Sequence, residues 1–212
     1  MIVDKIYQRR FSDTEKRQVL WSILVNDFFQ KLISSKDTVL DIPCGYGEFI
    51  NNIVCANKYA IDINPDSKTF LNKDIKFLKA SSTKIPLQNK SIDKVFVSNF
   101  FEHINHEDIE KTVLEVKRIL KDGGNIMILQ PNIRFASKNY WMFFDHITPI
   151  DDRALEEIFI IHGFKLKKRI LKFLPFSTQS KYPIIPFLVK LYIHMPLVWK
   201  IFGQQTFMVF EK

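Results

Sequence analysis

Short apolar runs that end on polar residues alternate with stretches of helical periodicity, and that alternation constrains the fold more than any other feature of the chain. Thr38 to Ile42, Lys58 to Ile63, Ile75 to Leu78 and Asp93 to Ser98 read as strands, and the first two carry acids, Asp41 and Asp62, near their ends. Asn125 to Gln130 reads as another, as do the basic stretches Phe164 to Phe173 and Gln205 to Lys212. Thr14 to Ile33 predicts a helix, with Leu20, Leu24, Phe28 and Leu32 on one face. Asn105 caps a helix striped by Ile109, Val113, Val116 and Leu120, which Gly123 and Gly124 stop. Asp151 caps a further helix closed by Gly163. Strands alternating with helices predict an α/β fold: a doubly wound, mainly parallel seven-stranded sheet with helices on both faces. No internal repeat, low-complexity tract or linker interrupts the pattern, so residues 1–212 are expected to form a single domain.

A sheet of this kind binds its ligand in the crevice beyond the carboxyl ends of its strands. The marked residues lie there: Asp41 with Gly45 and Gly47, then Asp62, Ser98–Asn99 and Gln130–Asn132 each follow a strand. In "VLDIPCGYGEF" a strand ends at an acid, turns through Pro43 and two glycines, and passes into a helix-like segment. The dinucleotide fingerprint asks for a third small residue, and Ile50 stands in its place. A carboxylate at Asp41 would also oppose a pyrophosphate, whereas it suits a ligand carrying an amino group. An NAD-dependent oxidoreductase is therefore the rival enzyme reading.

With 46% hydrophobic residues and 20 phenylalanines, the 212-residue chain can bury a bulky core. The net charge of +8 is compatible with nucleic acid, an anionic membrane surface or an acidic substrate, and equally with a genome rich in Lys, Ile, Asn and Phe codons. Two cysteines, Cys44 and Cys55, are too few for a disulfide framework or a zinc site, and no metal is expected. Met1 to Arg10 lacks the apolar stretch of a secretory leader, so a cytoplasmic, reduced protein is expected.

"LDIPCGYGEF" resembles the first motif of class I S-adenosylmethionine-dependent methyltransferases: strand, acid, Gly-x-Gly turn, then an aromatic. The remainder lines up in order. Asp62 in "YAIDIN" matches the acid ending the family's second strand, "SSTKIPLQNKSIDKVFVSNFFEHI" its third-strand loop and fourth strand, and "EVKRILKDGGNIMILQPN" its helix, Gly-Gly turn and fifth strand. "QQTFMVFEK" is similar to its last, antiparallel strand. The resemblance covers about Val19 to Lys212 and implies a Rossmann-like fold of the type 11/12 kind. It implies S-adenosylmethionine as cofactor, with S-adenosylhomocysteine as product. The implied cofactor-binding residues are Asp41, Pro43, Gly45, Gly47, Asp62, Ile63, Ser81, Ser82, Ser98 and Asn99. Asp41 would orient the ammonium, the glycines let backbone approach the methionyl part, and Asp62 would hold the ribose diol. Where the family often has an adenine-contacting acid this chain has Ser81, so backbone at Ser82 and Thr83 is the alternative contact.

Methyl transfer depends on holding the acceptor in line with the methyl–sulfur bond, and a hydroxyl acceptor also needs a base. His103 in "FFEHI" and His146 in "FFDHITP" are the candidates, with Glu102 a weaker one. His146 lies in a long aromatic loop, Asn132 to Pro149, placed over the cofactor end. Cys44 reads as a packing residue rather than a nucleophile. The stretch Ser98-Asn99-Phe100-Phe101 lacks the prolines many nucleic-acid amino-methylating enzymes carry there, and nucleic acid is not expected as a partner. A small-molecule or sugar-like acceptor, methylated on oxygen, is the expected substrate, and a catalytically inactive scaffold of the same fold is the non-enzyme alternative.

Tyr182 to Gly203 is nearly all apolar, and Pro183, Pro186 and Pro196 argue against one straight spanning helix. It is expected to be a helical insertion that caps the core. A dimer interface and a peripheral membrane contact near a lipid-linked acceptor are the other readings, the last with Lys190 and Lys200 at head-group level. An apolar insertion before the last strand is similar to methyltransferases of bacterial surface polysaccharide pathways, which implies a glycan or lipid-linked acceptor.

Overall fold

The computed structural model describes residues 14–176 and 185–212. The readings on Met1 to Arg10, and on Tyr182 and Pro183, lie outside them. Among the described residues seven strands form one sheet: β1 (Thr38–Ile42), β2 (Asn57–Asp62), β3 (Ile75–Lys79), β4 (Ile92–Ser98), β5 (Leu120–Pro131), β6 (Lys165–Ile170) and β7 (Gln205–Glu211). Their order is β3-β2-β1-β4-β5-β7-β6. The first five run parallel, and β7 is antiparallel to both β5 and β6, as expected for the last strand. From β1 the chain moves outward to β2 and β3, then returns to the other side of β1 as β4. The crevice of a doubly wound sheet opens at that reversal.

Side chains alternate across a strand, so each central strand supplies two cores. Val39, Phe96, Met127, Leu129, Phe207 and Val209 face helix α1 (Thr14–Asp27). Leu40, Ile42, Val95, Val97, Ile126, Ile128, Met208 and Phe210 face α2 (His106–Ile119) and α4 (Asp152–Ile161). Asn105 caps α2 by accepting the Asp108 N–H, and Asp151 caps α4 by accepting from Arg153 and Ala154. Both caps were legible from residue type and position.

Four local expectations change. The N-terminal helix ends at Asp27, and a short 3-10 turn (Phe29–Leu32) follows. The break lets Phe29 turn inward to full burial against Trp21, Phe49, Phe96 and Phe207. The Gly-x-Gly turn leads into irregular turns rather than a helix. There the Asn52 side chain bonds the Glu48 carbonyl, and Asn51 bonds both Phe70 and Asn72, so polar side chains compete with a helical ladder. Gly123–Gly124 do not end α2, because Leu120 already pairs with Ile92 in β5. The stretch from Asn132 to Pro149 contains a helix, α3 (Ile133–Tyr140), capped by Asn132 on the Arg134 N–H. The apolar insertion is two short helices, α5 (Pro186–Ile193) and α6 (Pro196–Phe202), each opened by its proline.

Phe29→Ala should cost about 3–5 kcal/mol, since it removes a fully buried ring from a packed aromatic cluster. Urea unfolding of the two proteins measures the difference, and a loss under about 1 kcal/mol would show that the cluster is dispensable.

Candidate functional site

The first loop is organised around Asp62. Its Oδ2 accepts the Gly45 N–H at 3.0 Å and its Oδ1 the Asn64 N–H at 2.9 Å, so one buried carboxylate ties the loop after β1 to the loop after β2. The Cys44 N–H adds a bond to the Ile61 carbonyl at 2.9 Å. Gly45 (φ +50°) and Gly47 (φ +70°) sit in the left-handed region, where glycine carries no steric penalty. A Cβ at Gly47 would also lie 2.5 Å from Leu71 Cδ2 and 2.8 Å from Asn51 Nδ2.

Three carboxyl groups converge here. Burial raises Asp41 well above the ordinary carboxylate range, and the charges of Glu48 and Asp62 raise it further. Burial raises Asp62 as well, against the lowering effect of its backbone donors. Arg17 on α1 reaches Glu48 at 2.5 Å, a pairing between distant segments that the sequence reading missed. Asn99, with φ +48° at the end of β4, donates its N–H to Leu129 and its side-chain nitrogen to Ser98 Oγ, while its Oδ1 is buried with no hydrogen-bond partner among the described residues. Beside β1 at the reversal, this rim is rich in carboxyl groups and hydrogen-bond acceptors. It fits a ligand that brings an ammonium, a sulfonium and hydroxyl donors, as S-adenosylmethionine does. The Cys44 thiol is buried and pushed up by burial and by Asp41, in keeping with a packing role.

The other expected contacts have partners within the protein or lie beside the acids of the rim. Ser82 Oγ is bonded to Thr112 Oγ1 on α2 at 2.8 Å, so its side chain joins β3 to the helix layer and only its backbone remains for a ligand. Ser81 Oγ is engaged locally with Thr83, at 2.8 Å to its hydroxyl and 3.2 Å to its N–H. Ile63 is exposed and Pro43 half-buried, each beside an acid of the rim.

A second cluster forms where the short turn Phe101–His103 meets the stretch after α3. The Ile147 and Thr148 N–H groups both donate to the Glu102 carbonyl, and Thr148 Oγ1 donates to Ile104. Tyr140 OH closes the stretch by donating to Thr148 and accepting from Ile150. These bonds bring His103 and His146 together, their ring centroids 4.8 Å apart. Asp145 contacts His103: its carbonyl lies 3.0 Å and its Oδ2 3.3 Å from the ring Nδ1. A carbonyl cannot donate, so Nδ1 carries the proton, and in the neutral ring Nε2 keeps the lone pair.

Glu102, ranked below both histidines on sequence grounds, is the centre of this cluster. It is 1% exposed, and burial raises its carboxyl while the neighbouring His103 acts to lower it. Its Oε2 accepts from Gln130 Nε2 at 2.6 Å. One ligand atom from each of Glu102, His103 and His146 lies within 4.8 Å of the others.

Residues 40–128 match the profile of a methyltransferase domain family. An uncharacterised protein of Methanocaldococcus jannaschii is 31% identical over 163 residues, 74% of this chain and 68% of the relative. Another from the same organism is 33% identical over 134 residues, 61% of this chain, and there the chain spans about half of the relative's length (47%). Among solved structures, an S-adenosylmethionine-dependent methyltransferase from Archaeoglobus fulgidus is similar at a TM-score of 0.68 and 20% identity, over 92% of this chain and 94% of that one.

The charge on the rim yields a signed prediction. Asp41 ionises later in the folded than in the unfolded chain, whose value is ~3.9, so the folded state holds the extra proton between the two. Stability from this group therefore falls as pH rises through that interval. Asp41→Asn should raise the melting temperature at pH 7 by ~2 °C or more and leave it nearly unchanged near pH 4. Thermal melts at the two pH values check this, and equal shifts at both would show that Asp41 ionisation is not the cause.

Proposed function

We propose that this chain, which belongs to the class I S-adenosylmethionine-dependent methyltransferases, transfers the donor's methyl group to an oxygen of a small-molecule or sugar-like acceptor. The observation that carries the reading is the pairing of an acceptor-rich rim of carboxyl groups at the β1–β2–β4 strand ends with a glutamate–histidine cluster that begins on the turn after β4.

When bound, S-adenosylmethionine supplies a methyl group already activated on a sulfonium. Asp41 would face the amino group, Asp62 the ribose hydroxyls, and backbone at Gly45 and Gly47 the methionyl part. Gly45 and Asn64 donate to Asp62 and so hold its carboxylate in place before any ligand arrives. On the acceptor side His103 and His146 take the hydroxyl proton. Those side chains would hold the acceptor oxygen in line with the methyl–sulfur bond, where the sulfonium would give up its methyl group. Asp145 fixes the His103 ring so that Nε2 is the basic atom.

Two features support an apolar or lipid-linked acceptor. Trp141, Met142 and Phe144, just before His146, are exposed, Phe144 at 82%. Helices α5 and α6 bury Ile193 and pack Tyr192 and Trp199 against the core, which accords with a capping role, yet turn Phe187, Leu197 and Ile201 outward beside Lys190 and Lys200. No helix among the described residues is long and apolar enough to cross a membrane. The face is suited to resting on a lipid surface instead. Leu197→Asp with Ile201→Asp should abolish co-sedimentation with anionic vesicles. Equal sedimentation of wild type and variant would remove this part of the reading.

Calorimetric titration with S-adenosylhomocysteine, with NAD as control, tests the central claim. Binding of the first compound alone is expected. Asp62→Ala should weaken it at least about tenfold, the loss of one charge-assisted contact, with the fold kept. His146→Ala should leave that affinity intact and slow transfer by ~10²-fold or more. Binding of NAD instead, or of neither compound, would overturn the assignment.

A further inference from the structure

We propose that Glu102, His103 and His146 form a binding site for one divalent transition-metal cation, with zinc the best match to the ligand types. The expectation of no metal rested on the two cysteines, and this site uses none. The first observation is a confrontation of acceptors. Glu102 Oε1 is buried and accepts no hydrogen bond from any described residue. Facing it at 3.7 Å, beyond hydrogen-bond reach, is His103 Nε2. With Nδ1 turned to the Asp145 carbonyl, the neutral form of the ring presents its lone pair there. A buried carboxylate oxygen without a donor, facing an imidazole nitrogen, is a place where a bound cation would satisfy both atoms.

The spacing suits a metal. Zinc sits about 2.0–2.2 Å from imidazole nitrogen and carboxylate oxygen, which sets tetrahedral neighbours roughly 3.4 Å apart, close to the 3.7 Å found. The trio's other separations, all within 4.8 Å, reach a common centre by side-chain adjustments of about 1 Å. Two histidines and one carboxylate are also the donor set of metal centres that keep positions open for substrate or water.

The second observation is the outer layer. A metal-bound imidazole characteristically donates its other N–H to a carbonyl or carboxylate, and a ligating carboxylate is itself hydrogen-bonded. Both supports are present: His103 Nδ1 on Asp145, and Glu102 Oε2 on Gln130 Nε2 at 2.6 Å. The backbone is braced as well, by the two N–H bonds onto the Glu102 carbonyl from Ile147 and Thr148. The site therefore has its second layer in place on two separate segments of chain.

Metal binding here stands apart from the methyl-transfer reading. Only its use rests on that reading: a cation held at these residues would bind the acceptor hydroxyl and lower its pKa, releasing the proton to solvent. The imidazoles would then act as ligands rather than as bases.

The test uses the full chain freed of metal with a chelator. Cobalt(II) titration should give a visible ligand-field band saturating at one ion per chain, and calorimetry should give one zinc. Glu102→Gln, which preserves side-chain volume, and His103→Ala and His146→Ala should each weaken binding at least about tenfold. His194→Ala, on the exposed end of α5, should not. On the wild type, X-ray absorption at the zinc edge should report a nitrogen and oxygen shell containing two imidazoles. No stoichiometric binding by the wild type, a band that survives in all three ligand variants, or a shell containing sulfur or no imidazole would each overturn the proposal. S-adenosylhomocysteine titration on the same preparation reads the methyltransferase assignment separately. Metal without that ligand, or the ligand without metal, would sink one reading and leave the other.

Discussion

Two backbone hydrogen bonds to the Asp62 carboxylate hold the ligand end of this sheet together. Parallel strands leave their ends unjoined, since each connection runs away across a face of the sheet. Asp62 closes the gap by accepting from Gly45, on the loop after β1, and from Asn64, on the loop after β2. The left-handed conformations of Gly45 and Gly47 then follow from a chain that must turn sharply above that carboxylate. A buried charge held by backbone donors is pre-organised, so a hydroxylated ligand meets acceptors that need no reorientation.

The same arrangement carries a stability cost. Asp41 is buried beside Asp62 and Glu48, and each neighbour opposes its ionisation. A core built for stability alone would not place three carboxyl groups together. The fold tolerates them because the two apolar layers on either side are extensive, with phenylalanines 29, 96, 101, 159, 207 and 210 fully buried. Local tension at the site is thus offset by packing elsewhere, a pattern expected where a charged ligand completes the structure.

In the second cluster the organising element is again a carboxyl group, Glu102. One oxygen is satisfied by Gln130 and the other faces an imidazole nitrogen. Its own main-chain carbonyl anchors the stretch that carries Asp145 and His146. The glutamate therefore positions the histidines through its backbone and meets them through its side chain. The exposed aromatic residues Trp141 and Phe144 lie on the same stretch, so the outward apolar face and the histidine cluster share one support.

Much of this was legible in the order of residues. Strand and helix periodicities are local, so the alternation of elements, the caps at Asn105 and Asp151, and the acids at the ends of β1 and β2 could be read without a structure. Together they determined the fold class and the edge of the sheet where the acids gather. Where reading failed, the outcome depended on contacts across long sequence separations. Phe29 leaves the helix because a distant aromatic cluster takes it. Arg17 finds Glu48, Gln130 finds Glu102, and Asp145 holds His103. Sequence by itself determined which elements form and which residues lie at their ends, because those follow from period and capping. Only the tertiary structure decided which of those residues meet, because hydrogen-bond partners are set by the packing of whole elements rather than by neighbours along the chain.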